Sequence, residues 1–427
     1  MSLLLGLDAG TTAVKAAVVD EGGRELAHGR APTPWREVPT GAEIDPGDLL
    51  AAAVAAAAEA LSAAPDGPVA GVGVASMAET GVLLDVRGRP VVPAIAWHDM
   101  RGDAEAERMA ADLGAEAFAA RVGLPCSRLC TLAKYRWMRD RLPESGRGVR
   151  WLNIAEWIVL GLGGEPSAEL SLASRTGFYD LHERRPWDAA MAWAGAPAGL
   201  MPEAVPAGTP MGSVGDALPA ARGAVLTVGG HDHLAAAVGA GAAGEGDVLD
   251  SCGTAEAFVR ASAPLAPDRV ARAVANGVTV GWHAVEGRQA LLGALWSGAA
   301  LGRTLADLGV DPRDRGELEA ASAGIEHGGH AAPDATAYHA ALDAQGAAAA
   351  EVLAHMDAVA GPAERLVVTG GWAAGDGARA VKARHLGAFE RPVVSEAGAR
   401  GAALAAGRAA GLWSIDEAPA GAVREVT

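Results

Sequence analysis

The stretch Leu5-Gly6-Leu7-Asp8-Ala9-Gly10-Thr11-Thr12 decides the fold. An apolar run from Leu3 ends at Asp8, and the chain returns at once through Val14 to Asp20, where Glu21-Gly22-Gly23 offers a turn. Short apolar runs bounded by turn residues read as buried strands. Joined by a glycine-containing tip, two such strands make a hairpin. Glycine lets the main chain approach a ligand closely, and successive N–H groups form a nest for anionic oxygens. Asp8, at the strand end, would hold a hydrated Mg2+ rather than touch phosphate itself. The same residues also suit an ordinary hairpin with an Asx turn, and the pattern alone does not separate the two.

A second copy lies far downstream. Gly246-Asp247-Val248-Leu249-Asp250-Ser251-Cys252-Gly253-Thr254 again runs from an apolar strand into a Gly-Thr tip, and Ala257-Phe258-Val259-Arg260 reads as the returning strand. Two such hairpins about half a chain apart suggest two similar domains facing one phosphate site.

Composition narrows the class. A chain of 427 residues, 50% of them apolar, buries a large core and favours two or three domains. The net charge of −17 argues against nucleic acid or an anionic membrane as the main partner, yet leaves a polyphosphate ligand open. Cys126, Cys130 and Cys252 make neither a disulfide framework nor a zinc set, which points to a reduced, cytoplasmic setting. The N-terminus carries no basic n-region, and the apolar stretch over 49–58 is interrupted by Glu59, well short of a bilayer span. The chain reads as soluble.

The pattern along the chain is an α/β mix and not a plain βαβ repeat. A three-stranded meander is predicted over 3–31, a loop over 35–44, and a helix from Asp45-Pro46 to about Ala63, with Asp as N-cap and Pro in the first turn. Strands follow at 69–75 and 82–86, then helices through Leu113, over 129–141 and over 151–162. The stretch 169–180 reads as polar and irregular, and 195–223 as a Pro/Gly/Ala-rich connection. Beyond it come a strand at 224–228, a helix at 234–238, the second hairpin, a strand-like 276–285 and a helix at 290–308. Residues 311–339 resist placement. A helix over 343–360, a strand over 365–369, a helix over 376–385, a strand over 392–394 and a small-residue helix over 400–412 complete the reading.

Four places invite one chemistry. Asp8, Gly10, Thr11 and Thr12, with Gly253 and Thr254, can cradle phosphates. Gly370-Gly371, between a strand and a helix, can let a flat base lie against backbone. Asp232 follows Gly229-Gly230-His231 at a helix start, where a carboxylate is favoured as the anion, and can serve as general base. Phosphoryl transfer needs such a cradle, a metal and a carboxylate that orients the attacking hydroxyl. Each place also has a plainer reading. Gly370-Gly371 suits a simple turn, and Asp232 suits an N-cap. His231 and His233 lack a third ligand and read as hydrogen-bonding or packing residues. Asp99 and Arg101 suit a structural ion pair, the tryptophans suit a core, and Cys252 has no activating partner.

In their order along the chain these segments resemble the FGGY carbohydrate kinases, the group of glycerol kinase, xylulokinase and gluconokinase within the actin–hexokinase–chaperone ATPase superfamily. Leu5 to Thr12 with Lys15 is similar to the family's first phosphate motif, and Glu43-x-Asp45-Pro46 to its E-x-(D/N)-P helix start. Ala94 to Arg101 resembles its P-x-I-x-W-x-D-x-R segment, Ser171 to Thr176 its S-x-A-S-x-T stretch, and Gly229 to Asp232 the segment of the catalytic aspartate. Asp250 to Thr254 resembles the second phosphate motif and Val368 to Ala373 the adenosine motif. The resemblance spans nearly the whole chain. It implies two ribonuclease-H-like α/β domains, 1–228 and 229–427, with a catalytic cleft between them. ATP and Mg2+ are the implied cofactors, and a small sugar, sugar acid or polyol is the implied partner. Asp232 would be the base and Asp8 the metal residue. Gly10, Thr11, Thr12, Lys15, Gly253, Thr254, Gly370, Gly371 and Ala373 would hold the nucleotide. Met77, Ala78, Glu79, Trp97, Asp99 and Asp232 would meet the acceptor.

Departures bear on the substrate. Glycerol kinase has N-Q-R-E-T where this chain has Ser76-Met77-Ala78-Glu79-Thr80, and xylulokinase has Q-M-H-G there. Losing a polar group from a hydroxyl-reading pocket changes which acceptor fits, so neither activity carries over. Trp372 stands where many members have a third glycine. The chain is shorter than typical members, with the shortfall around 285–362, a region that often shapes oligomer contacts; a homodimer is the assembly to test. The alternative from another class is a non-catalytic sugar- or nucleotide-binding protein on the same scaffold, and a third is a relative that hydrolyses ATP or polyphosphate with water. Retention of Asp8 and Asp232 weighs against the second, and the sugar-kinase-like segments around Trp97 and Gly229 against the third.

Overall fold

The computed structural model describes residues 2–413 and 424–426. The first lobe opens with the meander β1 (Leu3–Ala9), β2 (Ala13–Val19) and β3 (Glu25–Pro32), all antiparallel. Helix α1 (Pro46–Ala63) begins where Asp45 caps it, the carboxylate accepting from Gly47 N at 2.7 Å. By length and composition α1 could cross a bilayer, but its Leu49, Ala53, Ala56 and Ala57 face are packed in the first lobe's core. Strand β4 (Val69–Ser76) then pairs in parallel with β1. Helices α2 (Ile154–Gly161) and α3 (Leu170–Ala173) precede β5 (Val225–His231), which lies parallel to β4, and α4 (Asp232–Gly239) follows directly. The sheet order is β5-β4-β1-β2-β3.

The second lobe repeats this plan. Strands β6 (Asp247–Cys252) and β7 (Glu256–Ser262) form the second hairpin, followed by β8 (Thr279–Trp282) and β9 (Gln289–Leu295). Helices α5 (Ser297–Asp307), α6 (Gly316–Glu326) and α7 (Pro333–Ala360) lead to β10 (Arg365–Thr369). Helix α8 (Asp376–Leu386), β11 (Glu390–Pro392), α9 (Ala397–Ala409) and β12 (Arg424–Val426) complete the described chain. Its sheet order is β8-β9-β7-β6-β10-β11-β12. In each sheet three antiparallel strands are extended by two parallel ones, and the second sheet adds the antiparallel edge strands β8 and β12, so the repeat expected from the two hairpins extends to five strands of each sheet.

Several local expectations are corrected. Residues 35–44 carry a small hairpin, Arg36–Val38 with Gly41–Ile44, rather than a loop. The helix expected at 151–162 begins as the strand Arg150–Asn153, and the one at 290–308 begins as β9. Gln289-Ala-Leu-Leu-Gly-Ala-Leu295 suits either state by composition, and pairing with both β7 and β8 makes it a strand. The unplaced stretch 311–339 holds α6 and the first turns of α7. The 228/229 division falls inside β5, which completes the first sheet. Helix α9, from far beyond it, also packs on that sheet: a Cβ on Gly6, Gly73 or Gly229 would collide with its backbone.

Candidate active site

Parallel pairing brings the two key aspartates to one sheet end. Asp8 lies opposite Ala75 of β4, and His231 opposite Ser76, so Asp232 starts α4 just past the end of β5. Strand C-terminal ends are where α/β sheets gather ligands. Asp8 Oδ1 is buried without a hydrogen-bond partner, and a Cβ on Gly398 of α9 would press on the carboxylate. Burial, and then the charge of Asp232, push the Asp8 carboxyl up to about 7. Burial also disfavours the Asp232 anion, but His233 and His231 outweigh it and hold that carboxyl down to about 2. Of the pair, Asp232 is the carboxylate that stays ionised. An unpartnered oxygen facing a second carboxylate fits a hard divalent cation, which would relieve the repulsion.

Both polar contacts of Asp232 fall on one oxygen. His233 N donates to Oδ1 at 2.7 Å, and His231 Nε2 lies 3.1 Å from the same atom. Ligand atoms of His231, Asp232 and His233 lie within 4.8 Å of one another, but the His231 Nε2 is engaged with Asp232. The hydrogen-bonding role expected for His231 matches this geometry.

The hairpin tips carry exposed donors. Thr12, Gly253 and Thr254 are exposed, and Gly10 N closes the first tip on Ala13 O at 3.2 Å. Thr11 is fixed by two indoles: Trp97 Nε1 donates to its Oγ1 at 3.0 Å and Trp35 Nε1 to its carbonyl at 2.6 Å. Lys15 pairs with Glu396 at 2.7 Å, across to the α9 end. In the second lobe Gly370 has φ of 97°, and a Cβ there would strike the Cys252 backbone, so the strand-end turn lies directly against the second hairpin. Gly371 is exposed and Ala373 buried. The Trp372 indole lies against Gly298 of α5, with the Arg315 guanidinium 4.8 Å from its ring centroid. Lys382 of α8 reaches the buried start of the same hairpin, 2.6 Å from Asp250 and paired with Glu256.

Two expected acceptor contacts are corrected. Asp99 is fully buried; its carboxylate accepts from Arg101 Nε at 2.8 Å and from Ala42 N at 3.0 Å, which makes it a brace beneath the pocket. Ala78 is 2% exposed and belongs to the first lobe's apolar core, and Met77 is buried beside it. Glu79 is the group of that run that stays half-buried, held at a φ of 62°. Its partner Arg175 lies inside the Ser171–Thr176 segment and has no individual role in the sequence reading, because the polar stretch 169–180 has no periodic signal. Arg175 Nε donates to Glu79 Oε1 at 2.8 Å and Nη1 to Thr279 Oγ1 of β8 at 2.8 Å. The charges of both Glu79 and Arg175 act on His233, so this pair borders Asp232. Lys134, also missed, donates to the Trp97 carbonyl at 2.8 Å.

Two repeated α/β lobes, each with a hairpin ending in a Gly-Thr tip, define a two-domain actin–hexokinase-like fold. Residues 3–239 match the FGGY family of carbohydrate kinases, N-terminal domain. A xylulose kinase from Streptomyces coelicolor is 33% identical over 56% of this chain and 50% of its own length. A glycerol kinase from Aromatoleum aromaticum is 30% identical over 97% of this chain and 91% of its own. The chain thus spans about half the length of the first relative and most of the second. The crystal structure of xylulose kinase from Rhodospirillum rubrum superposes with a TM-score of 0.88 at 25% identity, covering 100% of this chain and 93% of that one. The chain belongs to the FGGY family of carbohydrate kinases, whose members are phosphotransferases acting on sugar or polyol hydroxyl groups.

Proposed function

We propose that the protein transfers the γ-phosphoryl group of ATP to a hydroxyl of a small sugar, sugar acid or polyol, with Asp232 as general base. The observation that carries this reading is the Asp232 carboxylate itself: held as the anion, both of its hydrogen bonds on Oδ1, and Oδ2 without a partner among the described residues. A free carboxylate oxygen beside the Glu79–Arg175 pair can accept the proton of an acceptor hydroxyl and orient it for attack. Thr11, Thr12, Gly253 and Thr254 would line the phosphates from the two lobes, and Asp8 would hold Mg2+. That cation, when bound, supplies positive charge to the phosphate oxygens. The adenine of the nucleotide would sit near Gly370 and Gly371, with Trp372 replacing a smaller residue in the shelf. Closure of the lobes on both substrates would exclude water and limit wasted hydrolysis.

The test is acceptor-dependent ADP release with Mg-ATP across ketoses, aldonates and polyols of three to seven carbons. One preferred acceptor, with release lost in Asp232→Asn while ADP affinity is kept, is expected. Release equal to the acceptor-free background throughout, from folded protein that binds ATP, would favour a binding-only protein.

A further inference from the structure

Behind Asp232 runs a row of buried polar groups that the transfer reaction does not itself require. Asn153 N donates to Glu156 Oε2 at 2.7 Å, and Glu169 N to Glu156 Oε1 at 2.8 Å. Glu169 in turn accepts from Ser171 N at 2.9 Å, from Leu172 N at 3.0 Å and from Ser171 Oγ at 2.6 Å. Ser171 Oγ accepts from His231 N at 2.9 Å, and His231 Nε2 meets Asp232 Oδ1. Asn153, Glu156, Glu169, Ser171 and His231 are all buried.

No lysine or arginine among the described residues hydrogen-bonds to Glu156 or Glu169. Burying carboxyl groups without a cation is costly, and an apolar pair would pack there at less cost. What apolar groups cannot supply is direction. The row ties the end of β5 to α3 through Ser171, and Gly230, with φ of 103°, leaves room for that hydroxyl where a Cβ would stand 2.7 Å from it. His231 Nδ1 is buried without a partner. A proton there would be an unsatisfied buried donor, which places the ring proton on Nε2, where it donates to Asp232.

We infer that His231 is a positioning residue. Its Nε2–H, set by the Glu169–Ser171 pair behind it, occupies Oδ1 and turns Oδ2 of Asp232 toward the acceptor hydroxyl. This rests on the reading of Asp232 as the base. His231 is buried behind Asp232, so its removal is expected to act on turnover and not on binding.

The experiment compares His231→Ala, His231→Gln and Ser171→Ala on the preferred acceptor, with ADP affinity measured by calorimetry. His231→Ala is expected to lower kcat about 100-fold, the scale of a misplaced reacting group, with acceptor KM and ADP affinity within about threefold. His231→Gln, whose amide can donate in place of Nε2–H, is expected to recover kcat to within about tenfold of the parent. If His231→Ala does not fold, Ser171→Ala carries the test through a fall in kcat at unchanged KM. A kcat within threefold of the parent in His231→Ala, or equal losses in the Ala and Gln variants, overturns the inference. Full turnover by Asp232→Asn would instead remove the base assignment, and is read separately.

Discussion

Arg175 Nε donates to Glu79 Oε1 at 2.8 Å, and the same guanidinium reaches Thr279 of the second lobe. The pair therefore joins the β4 end of the first sheet to β8 of the second at the border of the Asp232 site. Glu79 holds a left-handed backbone that non-glycine residues adopt at some cost, a feature that clusters at functional sites. Glu79→Ala is expected to raise the acceptor KM by about tenfold or more while the ATP KM stays within about twofold, since a lost hydroxyl partner is read by the acceptor alone. Arg175→Ala should follow it, because Glu79 then loses its anchor. Steady-state kinetics with each substrate varied settles this; equal movement of both KM values would make the pair structural.

Asp8 offers an oxygen without a partner next to a second carboxylate. Asp8→Asn should raise the Mg2+ concentration for half-maximal activity by about tenfold or more, since one charged ligand is lost. Mn2+ binding followed by electron paramagnetic resonance gives the same answer without turnover. Unchanged Mn2+ affinity would take the metal away from Asp8.

Lys382 pairs with both Asp250 and Glu256 beneath the second hairpin, all three largely out of water. Lys382→Met should destabilise the protein by about 3–5 kcal/mol, the cost of leaving buried charge uncompensated. Urea unfolding measures it. Adding Asp250→Asn and Glu256→Gln to that variant should return part of the loss, because no unpaired charge is then left.

Glu156 links the positioning row to pH. Burial pushes its carboxyl from 4.5 up to about 7, against its hydrogen bonds from Asn153 and the Glu169 backbone. A raised acid contributes stability that is fully present below its unfolded value and is lost as pH rises through the folded value. The melting temperature should therefore fall as pH rises from about 4.5 to about 7, with this one group worth on the order of 3 kcal/mol. In Glu156→Gln that slope should be reduced, although the melting temperature at pH 5 drops because the amide cannot accept from both Asn153 N and the Glu169 backbone. Calorimetric scans across that range decide it, and an unchanged slope would assign the pH dependence elsewhere.

Much of the site was legible because it is local. Asp8 through Thr12, Asp250 through Thr254 and Gly229 through Asp232 each carry strand, turn and polar tip within a few residues, and backbone geometry at that range follows from residue type. Asp45-Pro46 starts α1 at the expected residue for the same reason. Sequence by itself thus determined the two hairpins, their repetition and the family. Tertiary structure decided what those residues meet. Ala78 lies in the interior because the first core claims it, Arg175 reaches Glu79, and Ser171 reaches the backbone of His231. It also decided that Gln289–Leu295 is a strand and that α9 closes the first lobe from the far end of the chain. Partners 60 to about 400 residues apart leave no periodic trace along the chain, since strand pairing and burial, not spacing, bring them together.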